Sequence, residues 1–307
     1  MSSSFAPLTE LSDWYPAFRQ RHLDGFLAAG LPPAAALRSV DELLDTAQDL
    51  AAVAVLDADG RRVGQAAVLV VDPGGRAVGR VVDLWTDPAL DPAGGHRRAA
   101  LEWAREWCVG QSARRFAVRL AGPDACFDDF PVRSQTRFKA FGAGIAPVVE
   151  GVTIRPMTAD EFPGWMAEEQ EGYAADIVRS GSRSEREARE QSEKEFAELL
   201  PAGLATPDTS VLVIEADGVR VGVVWLRHGY LPEVGYLYSV AVDPAHRGRG
   251  FGRAAMAVSE AACTAAGDRG LLFNVFGGND VAMNLYTSTG SLVLEEHRSI
   301  DLSPAAP

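Results

Sequence analysis

Hydrophobic and polar positions follow the same order of elements in the two halves of the chain. Each half begins with helical segments, continues with a strand of β-branched and apolar residues, and later places an alanine-rich helix before one further apolar strand. The segments, with the first half before the second in each case, are Leu11–Ala29 and Glu185–Leu200, Ala52–Leu56 and Val211–Glu215, Arg97–Val109 and Arg253–Ala266, and Phe116–Leu120 and Leu271–Phe276. Hairpins followed by a strand–helix–strand crossover predict a mixed α/β fold, with a largely antiparallel sheet flanked by helices.

Turn-forming residues separate the strands at matching places in the two halves. Asp59-Gly60 and Asp217-Gly218 each follow the first strand, and Asp-Gly is a strong hairpin signal because both residues tolerate positive φ. The third strand of each half ends at an Asp-Pro pair, Asp87-Pro88 or Asp243-Pro244, where proline cannot continue a β-ladder. The sequence therefore predicts equivalent hairpins and equivalent strand ends.

These matches indicate an internal repeat. Ala58–Gly60 recurs as Ala216–Gly218 at an offset of 158, and Asp87–Ala89 recurs as Asp243–Ala245 at an offset of 156. A shared order with a nearly constant offset predicts a tandem duplication. We place the seam near Pro147–Gly151, which divides the chain into two domains, 1–149 and 150–307.

Composition and charge narrow the functional classes. A formal net charge of −13 argues against a general nucleic-acid binder, which needs a basic surface, and suits a cationic partner. No apolar run is as long as a membrane span, and the N-terminus lacks the features of a secretory signal. Cys108, Cys126 and Cys263 suit neither a disulfide framework nor a metal site, and no histidines have metal-ligand spacing. We therefore expect a cytoplasmic protein with no metal site and no membrane partner.

The sharpest local signal is a glycine-rich stretch between a strand and a helix. It follows the strand residues Val240–Val242 and reads Asp-Pro-Ala-His-Arg-Gly-Arg-Gly-Phe-Gly-Arg over residues 243–253. Glycines let the backbone approach a ligand closely, and unpaired N–H groups at a helix start form a cradle for pyrophosphate. Arg247, Arg249 and Arg253 would add charge-assisted hydrogen bonds to phosphate oxygens.

This stretch resembles the signature of the GNAT superfamily of acetyl-CoA-dependent N-acetyltransferases, which Arg247, Gly250 and Gly252 match. Asn279–Tyr286, with Gly290 four residues beyond, resembles a second motif of that family. The resemblance implies acetyl-CoA as co-substrate, bound partly by main-chain atoms of a bulged strand that splays from its neighbour. The cofactor contacts that it implies are Val240, Ala241, Val242, Arg247, Gly248, Arg249, Gly250, Phe251, Gly252, Arg253, Asn274, Asn279 and Tyr286.

The resemblance also implies catalytic roles. Asn279 would hydrogen-bond the pantetheine arm and Tyr286 would protonate the departing CoA thiolate, although a helix N-cap and a core aromatic explain the same two residues. Related enzymes often carry a carboxylate base on the preceding strand, but Tyr236–Ala241 contains no carboxylate. Glu233, or Ser239 acting through a water, is the candidate general base.

Acidic residues dominate the helical region that walls the acceptor site in this family. Residues 160–198 include 12 acidic and 5 basic side chains, which would attract a cationic amine. A solvated helix explains the same charges through the i,i+4 pairs Glu185/Arg189 and Glu190/Lys194. Both explanations stay open.

The loop of the first half has lost residues that the chemistry needs. Pro92 removes an N–H donor, Arg97 stands at the last glycine, and Phe138 has no hydroxyl. When the two halves are aligned on the Arg-Ala-Ala start of the helix, the equivalent pairs are Pro92 with Arg247, Gly95 with Gly250 and Arg97 with Gly252. When they are aligned on the segment near the end of each half, Phe138 is equivalent to Tyr286. The first domain is therefore predicted to be degenerate and catalytically silent.

Together these features predict an N-acetyltransferase that acts on a primary amine of a small cationic molecule, by direct transfer in a ternary complex, as a monomer or homodimer. Two alternatives stay open. One is a CoA-binding regulatory protein without turnover. The other is a different acyl donor, either a longer acyl-CoA or an aminoacyl-tRNA, which a local group of basic residues would favour: Arg114, Arg115, Arg119, Arg133, Arg137 and Lys139.

Overall fold

The computed structural model describes residues 2–43, 50–72, 75–142, 151–179 and 183–302. The strands and helices, in chain order, are β1 Ser4–Leu8, α1 Tyr15–Ala28, α2 Pro33–Glu42, β2 Ala51–Leu56, β3 Arg62–Val71, β4 Val78–Thr86, α3 Gly95–Gly110, β5 Arg115–Leu120, β6 Val132–Ala140, β7 Val152–Pro156, α4 Phe162–Arg179, α5 Glu185–Leu199, β8 Thr209–Ala216, β9 Val219–Leu231, β10 Val234–Val242, α6 Phe251–Ala265, β11 Gly270–Phe276, α7 Asp280–Ser288 and β12 Leu292–Asp301. Among these helices, none has both the length and the apolar character needed to cross a membrane.

The chain forms two compact units, and the strand order repeats between them. The first unit comprises Met1–Ala28, Ala36–Gln135 and Leu294–Pro307, and the second comprises Ala29–Ala35 and Thr136–Val293. In the first unit the strands lie in the order β1-β2-β3-β4-β5-β12, and in the second in the order β7-β8-β9-β10-β11-β6. In each unit the first four strands pair antiparallel and the fourth and fifth pair parallel. This topology confirms the predicted mixed α/β fold and the internal repeat.

The sixth strand of each unit comes from the other half of the sequence. β12, at the end of the second half, pairs antiparallel with β5 of the first unit, from Glu296 opposite Leu120 to Asp301 opposite Arg115. β6, at the end of the first half, lies beside β11 in the second unit. The predicted seam near Pro147–Gly151 falls almost wholly on residues 143–150, outside the described residues, so the domain boundary stays a prediction.

The hairpins form where the Asp-Gly pairs predict them. Gly60 has φ 76°, and Asp217 and Gly218 have φ 53° and 75°. These positive values belong to the left-handed region, which favours glycine and tolerates aspartate. The β2–β3 and β8–β9 hairpins therefore have turn residues suited to their backbone conformation.

The core of the second unit is split by its sheet into two layers, because successive side chains of a strand face opposite ways. On one face, Ile214, Val224 and Leu226 pack with the α6 residue Met256. On the other face, Val213, Val223 and Trp225 pack with Trp165 of α4 and Phe196 of α5. α6 and the α4/α5 pair therefore cover opposite faces of the sheet.

Candidate functional site

A cleft opens in the second unit where two neighbouring strands stop pairing. β10 and β11 are in register only from Val234 opposite Gly270 to Leu237 opposite Phe273, although both strands continue further. β10 also bulges against β9 between Leu237 and Ser239. A bulge bends its strand and leaves backbone groups unpaired. The resulting cleft has a volume of 1310 Å³.

The glycine-rich loop closes one end of this cleft. Gly248 and Gly250 have φ 74° and 89°, and Gly250 is the residue before α6. Because the first N–H groups of a helix have no intrahelical partner, α6 presents them and its positive dipole end to the cleft. The Arg247 Nε donates to the Val242 carbonyl at 3.2 Å, which ties the loop to the end of β10. This end of the cleft can bind an anion.

Nearly all the residues predicted from the sequence line the cleft. Those that do are Ser239, Val240, Ala241, Val242, Arg247, Gly248, Gly250, Phe251, Gly252, Arg253, Asn274, Asn279 and Tyr286. Arg249 is not among the lining residues, and its guanidinium lies over the Phe251 ring at 5.6 Å from the ring centroid. Glu233 also lies elsewhere, because it occupies the β9–β10 turn with φ 61° and pairs with Arg269 at 3.4 Å. The structure therefore does not support Glu233 as a general base in this cleft.

Tyr286 is a largely buried phenol that lines the cleft. It lies on α7, with its ring centroid 4.4 Å from that of Phe273 on β11. Burial raises the pKa of Tyr286 to about 12, with a small opposing effect of Arg137. The hydroxyl is therefore protonated near neutral pH.

Asn279 is the N-cap of α7, as the helix-cap explanation predicts. Its Oδ1 accepts a hydrogen bond from the Ala282 N–H at 3.2 Å.

A carboxylate that the sequence did not single out faces the bulged strand. Glu169 on α4 lines the cleft, and the Ser239 hydroxyl donates to its Oε1 at 3.0 Å. Burial raises the pKa of Glu169 above its ordinary value, although the hydrogen bond from Ser239 opposes this effect. Since 70 residues separate the two partners, no local motif links them. A buried carboxylate of raised pKa is a candidate general base.

The wall of the cleft formed by α4, α5, β9 and β10 is acidic and aromatic. Its acidic side chains are Glu168, Glu169, Asp176 and Glu195, and its aromatic side chains are Tyr173, Phe196, Trp225, Tyr236 and Tyr238. Arg179 is the basic residue of this wall, and it is ion-paired with Asp176. Ring centroids of Tyr236 and Tyr238 are 4.8 Å apart. Carboxylates and aromatic faces both attract cations, so this wall suits a positively charged ligand.

The exposed face of α5 carries ion pairs, as the solvated-helix explanation expects. Arg189 pairs with Glu185 at 3.1 Å, as predicted. The predicted pair Glu190/Lys194 is wrong, because Lys194 instead approaches Glu198 at 3.8 Å and Glu190 pairs with Arg186 at 2.5 Å. These i,i+4 pairs support the solvated-helix explanation for the exposed face of α5, and attraction of a cationic amine stays a prediction.

In the first unit, a carboxylate of the equivalent loop occupies the anion position at the start of α3. The residue before α3 is Gly94, with φ 65°, so Gly94 and not Gly95 is the counterpart of Gly250. This corrects the sequence alignment by one residue and places Asp91 opposite Arg247. The Asp91 carboxylate accepts hydrogen bonds from the N–H groups of His96 at 3.1 Å and Arg97 at 2.8 Å.

The charge of Asp91 matches this position. Burial acts to raise the pKa of Asp91, but the hydrogen bonds from the Arg97 and His96 N–H groups outweigh it and hold the pKa below its ordinary value. Asp91 is 5 % exposed. The start of α3 is therefore already neutralised by an internal anion, whereas the start of α6 is open to the cleft.

The predicted equivalence of Phe138 and Tyr286 is wrong. Phe138 lies on strand β6, whereas Tyr286 lies on helix α7. In the first unit the segment between β5 and β6 has only a short 3-10 turn, Ala125–Phe127, capped by Asp124. No tyrosine occurs between Tyr15 and Tyr173 in the sequence. The first unit thus has no phenol at the position that Tyr286 occupies in the second.

The basic residues that would favour a nucleic-acid partner are bonded within their own units. In the first unit, Arg115 pairs with Asp301 and Arg119 with Glu295, and the Arg133 Nε donates to Ser299. In the second unit, Arg137 donates to Thr287 and Ser291, and Lys139 pairs with Glu260. Three of these cations, Arg115, Arg119 and Lys139, are therefore paired with carboxylates of their own unit.

Comparison with known proteins agrees with this geometry. Residues 174–290 match the model of the family described as acetyltransferase (GNAT) family. An uncharacterized N-acetyltransferase of Bacillus subtilis (strain 168), YycN, is 28% identical over 142 residues, which cover 45% of this chain and 91% of that protein. The mycothiol acetyltransferase of Kytococcus sedentarius is 26% identical over 159 residues, or 52% of this chain and 50% of that protein.

Similarity to a solved structure extends along nearly the whole length of the chain. A GCN5-related N-acetyltransferase from Sphaerobacter thermophilus aligns with a TM-score of 0.58 and 16% identity, covering 98% of this chain and 97% of that chain. At this identity the likeness shows a common fold.

Proposed function

From the premise that residues 174–290 of this chain are an acetyltransferase domain of the GNAT family, we propose that the protein transfers the acetyl group of acetyl-CoA to a primary amine of a small cationic molecule. The observation that carries the proposal is the meeting of three features in one cleft. They are the splayed β10 and β11, the open helix start after Gly250, and a candidate proton acceptor and proton donor, Glu169 and Tyr286, that line the same cleft.

The donor half of the cleft fits the parts of acetyl-CoA in order. The pyrophosphate binds the N–H groups at the start of α6, with Arg247 and Arg253 adding charge-assisted hydrogen bonds. The pantetheine arm enters between the splayed strands, where the unpaired backbone groups of β10 hydrogen-bond its amides. Asn274 and Asn279 line this passage. The thioester then lies between Glu169 and Tyr286.

The reaction needs one proton acceptor and one proton donor. The bound ammonium gives a proton to the Glu169 carboxylate, and the neutral amine forms a C–N bond with the thioester carbonyl carbon as the C–S bond breaks. The CoA thiolate takes the proton of the Tyr286 hydroxyl, and the remaining proton on nitrogen passes through water to the phenolate. Glu169 releases its proton to solvent. Ser239 positions the Glu169 carboxylate through its hydrogen bond.

We assign the first unit no acetyl-CoA of its own. Asp91 occupies the helix start that a pyrophosphate would need, and no tyrosine is available for protonating a thiolate. A second anion beside the buried Asp91 would be repelled. The first unit is therefore a degenerate copy, which completes its sheet with the last strand of the catalytic half.

The test is titration calorimetry of the full chain with acetyl-CoA, followed by a thiol-release assay with a panel of amines. We expect one acetyl-CoA per chain, and turnover with diamines, polyamines or amino sugars that exceeds turnover with a neutral amine of similar size. Absence of binding would overturn the proposal. Binding without thiol release on any amine would favour a regulatory protein, and two acetyl-CoA per chain would contradict the degenerate first unit.

A further inference from the structure

A second group of reactive side chains lies in the second unit and shares no residue with the cleft. His228 near the end of β9, Cys263 in α6 and Asp268 before β11 each offer one metal-ligating atom, and these atoms all lie within 4.8 Å of one another. The sequence predicted no metal site because 35 residues separate the histidine from the nearest of the other two. The fold brings all three together.

Two of the three ligating atoms are buried and have no hydrogen-bond partner. They are the Nδ1 of His228 and the Oδ2 of Asp268, which face each other at 3.5 Å. Asp268 is 5 % exposed, so an unneutralised charge there would cost free energy. Its other oxygen, Oδ1, already accepts the Gly229 N–H at 3.1 Å. A positive charge bound by the carboxylate oxygen and the imidazole nitrogen would satisfy both atoms.

The surroundings orient the imidazole as a metal ligand requires. The His228 Nε2 is hydrogen-bonded to the Ser210 hydroxyl at 2.8 Å. When Nε2 carries the proton and donates it to Ser210, Nδ1 presents its lone pair toward Asp268 and Cys263. Metal-ligating histidines use their second nitrogen in this way, which fixes the ring and its tautomer.

A glycine lets two of these ligands approach the backbone of the neighbouring strand closely. A Cβ at Gly235 on β10 would lie 2.7 Å from the Cys263 Sγ and 2.9 Å from the Asp268 Oδ2. Any side chain there would push both atoms away. Around a tetrahedral zinc ion, nitrogen and oxygen ligands at about 2.0–2.1 Å lie roughly 3.4 Å apart, which the 3.5 Å separation of Nδ1 and Oδ2 matches.

The first unit supplies an internal comparison. Cys108 of α3 faces Gly79 as Cys263 faces Gly235, and the Ala113 N–H donates to the Cys108 carbonyl as the Asp268 N–H donates to that of Cys263. Ala113 therefore stands where the second unit has Asp268. A buried cysteine against a glycine is thus common to both copies, but the carboxylate that makes it a candidate ligand set is present only in the second.

We propose that His228, Cys263 and Asp268 bind one Zn²⁺ ion, with water as the fourth ligand. One thiolate, one carboxylate and one neutral imidazole suit zinc, and two negative charges neutralise it in the buried site. Binding displaces the proton of the Cys263 thiol, so that affinity rises with pH. The ion would connect the end of β9, the C-terminal turn of α6 and the start of β11, and so stabilise the unit that carries the cleft.

The test uses the full chain after treatment with a chelator, titrated with Co²⁺ as a spectroscopic substitute for zinc. We expect one Co²⁺ per chain, with the near-ultraviolet charge-transfer band of a cobalt–thiolate bond and the intense visible bands of tetrahedral cobalt. Zn²⁺ should displace it and raise the unfolding temperature. If wild-type protein shows no charge-transfer band, the site does not exist.

Variants then assign the ligands. Cys263→Ser should abolish the charge-transfer band, and Asp268→Asn and His228→Gln should each weaken Zn²⁺ binding at least tenfold. Cys108→Ser, which changes the matching cysteine of the first unit, should keep both the band and the affinity. Loss of the band in Cys108→Ser instead of Cys263→Ser would overturn the assignment. Circular dichroism establishes that each variant is folded. Calorimetry with acetyl-CoA measures binding in the cleft independently of the metal, so the zinc site and the acetyltransferase function are tested by separate measurements.

Discussion

Replacing Tyr286 by phenylalanine removes one hydroxyl and little else. The ring stays against Phe273, at the 4.4 Å centroid separation of the wild-type pair, so acetyl-CoA should bind within a few-fold of its wild-type affinity. A positioned general acid contributes about 10²–10⁴-fold to rate. A thiol has an ordinary pKa of about 8.5, which makes a thiolate a tolerable leaving group. We therefore expect the lower end of that range near neutral pH, about 100-fold in kcat, or about 2.7 kcal/mol.

The assay is thiol release with the best amine of the panel, measured over a range of pH for wild-type protein and Tyr286→Phe. Because a thiolate needs protonation less as pH rises above the pKa of the thiol, the deficit of the variant should shrink in alkaline solution. Tyr15→Phe, in the first unit, is the matched control and should match wild type. A deficit below about threefold at neutral pH, or one independent of pH, would refute the role of Tyr286 as the acid.

Three further predictions concern charged residues. Glu169→Gln should lower kcat/KM by about 10²–10⁴-fold and remove the acidic limb of the pH profile. The base must be ionised and the pKa of Glu169 is raised, so wild-type activity falls as pH drops through that raised pKa. An acidic limb that survives in the variant would exclude Glu169 as the base. Arg247→Ala should weaken acetyl-CoA binding by about 10–100-fold in calorimetry, and Arg249→Ala by less, because only Arg247 lines the cleft; equal effects would contradict this geometry. The hydrogen bond from Arg155 holds the pKa of Glu161 well below its usual range, so Glu161 stabilises the fold above its unfolded pKa of about 4.3 and this stability is lost as pH falls through the folded pKa. Glu161→Gln should therefore lower the urea midpoint near pH 7 and differ less from wild type near pH 3, and a constant difference would show that the charge is not responsible.

The motifs around Gly250 and Tyr286 could be predicted because their chemistry depends on residues close in sequence. A strand end, a left-handed glycine and a helix start lie within about ten residues, and the same local geometry follows wherever they occur together. In the structure, Val240–Val242, Gly248, Gly250 and Asn279 all line one cleft. Asp-Gly hairpins were predicted on the same basis, because backbone conformation at a tight turn depends on its own residues.

Glu169, the proposed general base, could not be predicted in this way. Glu169 precedes Ser239 by 70 residues, and nothing near Glu169 distinguishes it from the other carboxylates of α4. Its burial and its partner depend on how α4 packs on the sheet. Glu233, chosen because it is near the strand in sequence, lies at the turn and outside the cleft. Proximity along a strand does not specify which end of the sheet a side chain occupies.

The sequence by itself determined the repeated α/β order, the position of the hairpins and the glycine-rich start of α6, because each depends on short-range backbone preferences and on the periodicity of apolar residues. Only the tertiary structure decided which carboxylate of the cleft accepts a hydrogen bond from Ser239, that Asp91 fills the helix start of the first unit, and that β6 and β12 complete the sheet of the opposite half. It also brought His228 to Cys263 and Asp268. The physical reason is common to all of these. Contacts between distant segments depend on the packing and burial of the whole fold, so a local pattern of residues does not predict them.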